Sequence, residues 1–194
     1  MTTITVKVTG STPLLMHNVR LANPTLKFAK ELKRLQTAKR TKGSDADKIV
    51  EEMARVEWEG GLYFDDKLGP CIFPEMVRGA IIAGARLSRG GKTVERAVTV
   101  LKKSKLDYEG PRDIDGLWEA GFADQRMVTV NNAKIPRTRP VFESWATTFE
   151  VVYDDEVMKR DDLVRYVTAA GRYEGFGDGR SLGFGRFDVE IVKG

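Results

Sequence analysis

The residues best placed to do chemistry lie near the end of the chain. Gly175-Phe176-Gly177-Asp178-Gly179-Arg180-Ser181-Leu182-Gly183-Phe184-Gly185-Arg186-Phe187 packs five glycines and two arginines into thirteen residues. Glycine tolerates positive φ and leaves the main chain open to close approach, so such a loop predicts exposed N–H groups that a phosphate or another strand can reach. Arg180 and Arg186 supply charge at the same place. The spacing excludes a Walker loop, which needs Gly-Lys-Ser/Thr entering a helix, and a dinucleotide fingerprint, which needs a strand before the glycines and a helix after them. Here the order is reversed, with a helical segment from Asp161 to Arg172 before the loop and an alternating strand from Arg186 to Val192 after it.

Two further groups carry charge suited to a phosphate backbone. Between Arg20 and Lys42 stand eight basic residues against Glu31 alone, and Lys30, Lys33, Arg34, Lys39 and Arg40 among them could track phosphates without reading bases. The segment from Ser44 to Glu59 reverses this, with six acids against Lys48 and Arg55, so charge is segregated along the chain. The second group is Lys134, Arg137 and Arg139, beside Pro136 and Pro140. Tyr63, Phe64, Trp118, Phe176 and Phe184 are candidate stacking platforms, with burial in a core as the alternative.

Catalytic signals are thin. The one histidine, His17, has no predictable partner for acid–base work and is expected not to be catalytic. Asp45 and Asp47, or Asp65 and Asp66, could face a divalent cation, but adjacent acids on a hairpin tip are usually solvated, and no metal or cofactor is expected. With Cys71 as the only cysteine, neither an intrachain disulfide nor a cysteine zinc site can form, which points to a reducing cytoplasm.

Periodicity supplies the elements that must hold these residues. Thr3 to Val8 alternates as a strand, and Thr25 to Lys39 places Leu26, Ala29, Leu32 and Leu35 on one helical stripe among lysines. Asp45 to Glu57 predicts a second helix capped near Ser44, and GGLYFDDKLGPCIF a hairpin with Gly60-Gly61 as breakers. Glu75 to Leu87, with Gly79, Ala80, Ala83, Gly84 and Ala85, predicts a helix that packs closely on a sheet. Lys92 to Lys105 mixes helical and strand signals, Gly110-Pro111-Arg112 opens a loop, and Arg126 to Val130 reads as a strand. Two prolines and three cations make Asn131 to Pro140 a poor central strand, so this stretch predicts a protruding hairpin or an edge loop. Phe142 to Tyr153 contains another strand, with Thr147, Phe149 and Val151 on one face.

The glycine loop and its place before a last strand resemble the RAMP superfamily, repeat-associated proteins that bind or cut CRISPR RNA. Gly175, Gly177, Gly183, Gly185 and Arg186 match its G-hydrophobic-G pattern and following basic residue position by position. Ile72-Phe73-Pro74-Glu75-Met76-Val77-Arg78-Gly79-Ala80-Ile81 stands where RAMP backbone subunits carry an IPGSSLKGALR-like helix start, without the Gly-Ser-Ser. The chain also resembles small proteins of tailed-phage genomes through its PLLMHN, GGLYFDD, RTRP and GRF landmarks.

The resemblance implies an α+β, ferredoxin-like (RRM-like) antiparallel sheet with two helices, a helical insertion after the first strand and a protruding β-hairpin. One domain over 1–194 is expected, with insertions at 19–71 and 90–125. It further implies a single-stranded nucleic-acid-binding protein, phage-encoded, assembling as a homo-oligomer along the strand in replication, recombination or counter-defence. Its binding residues would be Gly177, Arg180, Gly183, Gly185 and Arg186 with the two cationic groups. Two alternatives stand beside it: a metal-independent endoribonuclease using His17, and a protein-interaction module with a basic face.

Composition sets the outer bounds. The 194 residues, 41% hydrophobic and 31% charged, describe a globular chain with no apolar run near the ~20 residues of a membrane span. The net charge of +4 is mild, so its distribution matters more than its size.

Overall fold

The computed structural model describes residues 1–41, 46–130 and 132–193. In chain order these form β1 (Thr2–Gly10), β2 (Leu14–Leu15), α1 (Lys27–Thr41), α2 (Ala46–Gly61), β3 (Phe64–Asp65), β4 (Gly69–Ile72), α3 (Pro74–Arg86) and α4 (Gly91–Ala97). There follow β5 (Val98–Thr99), β6 (Ser104–Asp107), α5 (Ile114–Glu119), β7 (Ala123–Val130), β8 (Ala133–Phe142), β9 (Ala146–Tyr153), α6 (Arg160–Ala169) and β10 (Phe187–Lys193). The chain is a mixed α and β protein with antiparallel sheet. It divides into two compact units: unit 1 is Met1–Leu15, Phe64–Glu109 and Phe142–Gly194, and unit 2 is Met16–Tyr63 and Gly110–Val141.

Unit 1 is organised by a sheet of order β10-β1-β9-β6-β4-β3, with β5 also paired to β9. Strand β1 lies between the two longest partners, Val6 opposite both Phe149 and Ile191, Lys7 opposite both Thr148 and Glu190. The pleat sends Ile4, Val6, Val8, Phe149 and Val151 into the core and leaves Thr3, Lys7, Thr9, Thr148, Glu150, Asp188 and Glu190 on the open face. That open face carries more carboxylate than ammonium. Among the described residues, none of the exposed positions of β1, β9 and β10 is aromatic.

Gly84 of α3 serves a helix–helix contact. A Cβ on Gly84 would lie 2.5 Å from the backbone nitrogen of Ala170 and 2.6 Å from the carbonyl of Tyr166, so α3 meets the end of α6 backbone to backbone. The helix predicted to run to Arg172 changes winding instead. Its last turn, Ala170–Glu174, is a π-type turn, and the N–H of Gly175 donates to the carbonyl of Ala170 at 2.8 Å.

A second departure concerns the sheet itself. The strand beside β9 is β6, with Leu106 opposite Thr147, while the Arg126–Val130 stretch belongs to β7 and pairs with β8 in a hairpin of unit 2. In β6 only Ser104 and Leu106 point inward, too short an alternation to stand out inside the ambiguous Lys92 to Lys105 stretch.

Unit 2 is built from α1, α2, α5 and the β7–β8 hairpin. Gly60 and Gly61, expected as breakers, end α2, and the carbonyls left open there are taken up by Arg20. Its Nε donates to the Gly60 carbonyl at 2.8 Å and its Nη2 to those of Glu59 and Leu62 at 2.6 and 3.1 Å, the usual demand of a helix C-terminus for donors and positive charge. Burial lowers the pKa of this guanidinium, which also stacks 4.5 Å above the Phe28 ring. Trp58 is fully buried, donates to the Phe122 carbonyl at 2.7 Å and meets Trp118 edge-on at 5.3 Å between centroids. Gly116 and Trp118 belong to α5, whose N-cap Asp113 accepts from the Gly116 N–H at 2.8 Å.

Candidate nucleic-acid interface

The glycine loop has the backbone its composition predicts, and Gly175, Gly177, Gly179, Gly183 and Gly185 all have positive φ. Much of its hydrogen bonding, however, turns inward. The Phe176 N–H donates to the Gly185 carbonyl at 2.9 Å, the Asp178 N–H to Leu15 and the Gly185 N–H to Pro13, both at 2.8 Å. A Cβ on Gly185 would sit 1.9 Å from the Phe176 carbonyl, and one on Gly177 2.1 Å from that of Leu15. These glycines therefore admit the protein's own strands. Gly183 differs: its φ is +90° but nothing lies within 4 Å of a Cβ built there.

Phe176, one of the candidate platforms, is 1% exposed and belongs to the core. Its ring lies 4.4 Å from Phe187, 5.9 Å from Trp145 and 6.2 Å from Phe149. The other candidates, Tyr63, Phe64, Trp118 and Phe184, are half-buried.

The two loop arginines separate in role. Arg186 is half-buried: its N–H donates to the Thr12 hydroxyl at 2.9 Å and its Nη2 to the Arg180 carbonyl at 3.1 Å, while its buried Nη1 has no partner among the described residues. Arg180 is exposed, and among the described residues its guanidinium has no ion-pair partner.

The remaining cations lie in unit 2. On α1, Lys30, Lys33 and Lys39 are exposed. Arg34 is committed elsewhere, its Nε and Nη2 both donating to the Glu31 carboxylate at 2.6–3.1 Å, which lowers the pKa of Glu31. Arg40 lies on α1, but its side chain, like Ser44 and Asp45, falls outside the described residues. On β8, Lys134 is exposed while Arg137 and Arg139 are half-buried. Arg139 stands across the hairpin from Asp124, and Arg137 across from Arg126.

Each arginine of that second pair has its own carboxylate. Arg126 binds Asp124 through Nε and Nη2. Arg137 donates through Nη1 to Glu57 at 2.5 Å, and the other Glu57 oxygen accepts the Thr138 N–H at 2.9 Å. Glu57 is 8% exposed, so a charged group of α2 fixes the hairpin onto the helix.

Beside this pair is a cleft of about 510 Å³, lined by α1 (Leu32, Gln36, Lys39), α2 (Val50, Met53, Ala54, Glu57) and the hairpin (Gln125 to Met127 and Ile135 to Thr138). Lys39 and Arg137, from cationic groups nearly a hundred residues apart, thus line one recess. Glu57 and Arg20 were not singled out by sequence reasoning, since their partners lie 80 and about 40 residues away and no local pattern announces them.

His17 is half-buried in unit 2. Asp65 bonds Lys103 at 2.8 Å and accepts the Lys67 N–H at 3.0 Å, both of which hold its pKa below the usual carboxylate range, the lysine more strongly. Asp47 and Asp66 are exposed. Among the described residues no three His, Cys, Asp or Glu side chains come together to hold a metal ion. Burial raises the Cys71 thiol to about 11, far from a reactive thiolate at neutral pH. No helix among the described residues is long and apolar enough to cross a membrane.

No protein-family model matches the chain, and no curated protein sequence matches it. Among solved structures, it is similar to a chain from the cryo-EM structure of the Type III-B Cmr-beta bound to cognate target RNA, at 13% identity and a TM-score of 0.47 over 98% of this chain. It spans 60% of that chain's length. It is also similar to Cmr6 from Pyrococcus furiosus, at 15% identity and a TM-score of 0.36, covering 96% of this chain and 97% of that one.

Proposed function

We propose that this chain is a RAMP-like protein that binds single-stranded nucleic acid without cutting it, through the cations of unit 2, and that its copies assemble side by side along the strand. One observation carries the reading: the whole net charge resides in unit 2, where Lys39 of α1 and Arg137 of β8 line the same cleft. Unit 2 holds fifteen Lys and Arg against eleven Asp and Glu, and unit 1 holds seventeen of each. The acids on the open face of the sheet in unit 1 would repel phosphates, which favours a binding mode unlike that of an RRM sheet.

The strand order β10-β1-β9-β6, with α3 following β1 and α6 preceding β10, supports a ferredoxin-like core for unit 1. Unit 2 is then read as the elaboration of a single domain. One domain of this size covers few nucleotides, so side-by-side binding would supply affinity by raising effective concentration. The landmark residues shared with tailed-phage proteins extend the proposal to a phage-encoded protein working in the cytoplasm of its bacterial host, in replication, recombination or counter-defence.

Gel-shift titration of single-stranded DNA, single-stranded RNA and duplex, with the products then run on a denaturing gel, tests this. Retention of intact single strands is the expected result, with His17→Ala binding within a few-fold of the parent. Metal-independent cleavage that His17→Ala abolishes would replace the proposal with an endoribonuclease. Failure to retain any nucleic acid would leave the basic face to an acidic protein partner.

A further inference from the structure

We infer that the cleft of unit 2 is a base-accepting pocket, which takes one unstacked nucleobase of the bound strand and holds the adjoining phosphate at its rim. The inference rests on the proposed single-strand binding and specifies where the strand is gripped. The recess measures about 510 Å³, within the range of small-molecule sites and ample for a base with its sugar. Its wall is apolar where a base would lie, with Leu32, Met53 and Ile135 from three different elements.

Its charge is cationic where a phosphate would lie. Lys39 is exposed, and Arg137 spends only Nη1 on Glu57, so among the described residues its Nε and Nη2 have no partner. The Glu57 bond holds that guanidinium in place before any ligand arrives. A planar apolar body joined to one negative charge is the ligand that complements both features. The amide of Gln36, on the same lining, can donate to and accept from a base edge.

The pocket is tested with short single-stranded oligonucleotides, each carrying one 2-aminopurine, bound to the full chain. 2-Aminopurine brightens when it leaves its stack, so binding to the parent is expected to raise its fluorescence. Ala54→Trp, which fills the cleft from α2, is expected to remove the rise and weaken binding about tenfold, the scale of one lost stacked base. Met127→Glu provides a second variant at an exposed position (59% exposed) on the cleft's lining, where an added carboxylate repels the phosphate; it should weaken binding while the melting temperature holds. Parent-like affinity and parent-like brightening in both variants would overturn the pocket while leaving single-strand binding intact. Absence of any oligonucleotide binding by the parent would overturn both.

Discussion

The two units divide their labour between conformation and charge. Unit 1 has the larger sheet, the aromatic cluster around Phe176 and the five positive-φ glycines of the loop, and its charges cancel. Unit 2 has two helices rich in Lys and Glu, a hairpin fixed by one buried carboxylate, and all of the net charge. The glycine loop, which drew attention as a phosphate cradle, is in large part the means by which unit 1 closes on itself, since Gly177 and Gly185 touch the protein's own carbonyls. A conspicuous motif can thus be scaffold, and in the proposal above the less conspicuous cations carry the ligand.

The largest test of that division is steric. Gly185→Val would drive a branched side chain into the Phe176 carbonyl at a φ of +72°, and the expected loss exceeds about 4 kcal/mol, enough to unfold a marginal domain. Gly183→Val, at φ +90° in open space, should cost only the strain of the left-handed backbone, about 1–3 kcal/mol, so denaturant midpoints for the two variants should differ clearly. Similar losses would mean the loop's backbone, and not its contacts, sets the cost.

In unit 2 the corresponding variant is Glu57→Ala, which strips Arg137 and the Thr138 N–H of their acceptor. We expect about 2–3 kcal/mol, discounted from a fully buried pair because the Arg137 side chain is 34% exposed. Affinity for single strands should fall with it if the preset guanidinium matters.

Charge removal should instead leave stability alone. Replacing Lys30, Lys33 and Lys39 by Ala is predicted to flatten the salt dependence of binding by about 0.7 per lost phosphate contact. Arg34 is omitted because Glu31 occupies it. Arg180→Ala probes whether unit 1 also touches the strand: its exposed side chain predicts an unchanged melting temperature and a slope change of at most one contact, again about 0.7. If Arg180→Ala weakens binding more than the lysine triple does, the assignment of charge to unit 2 is wrong.

The smallest effect is on pH. The folded pKa of Asp65 is depressed from 3.8, so its contribution is fully present above that value and is lost as the pH falls through the lower, folded value. Acid unfolding of Asp65→Asn compared with the parent should show a gentler loss over that window. It should leave nucleic-acid binding untouched.

Much of this architecture was legible in the residues. Alternation located β1, β9 and β10 and the lysine-spaced stripe located α1, whereas the prolines and cations from Lys134 to Pro140, expected in a protruding hairpin or edge loop, lie in one long strand, β8, paired with β7. The glycines announced positive φ but not what would approach them, because a glycine is equally suited to a phosphate and to a neighbouring carbonyl. Strand β6 escaped because two inward residues make no periodic signal. The same limit hid Arg20 at the end of α2 and Glu57 beneath Arg137. Such pairings are decided by which distant segments meet, and neither propensity nor spacing records that.

The central place of β1 has a further consequence, for how the chain is made. Thr9 pairs with Ala146 on one side and with Asp188 on the other, so β1 is synthesised long before either partner and its second edge stays open until β10 follows. At ordinary synthesis speeds of about 5–20 residues per second, that interval is on the order of ten to forty seconds. Throughout it, Ile4, Val6 and Val8 form a ready edge for another nascent chain, tempered only by the threonines and Lys7 between them. Production of this protein should therefore be sensitive to translation rate and to chaperone supply even where the finished fold is stable.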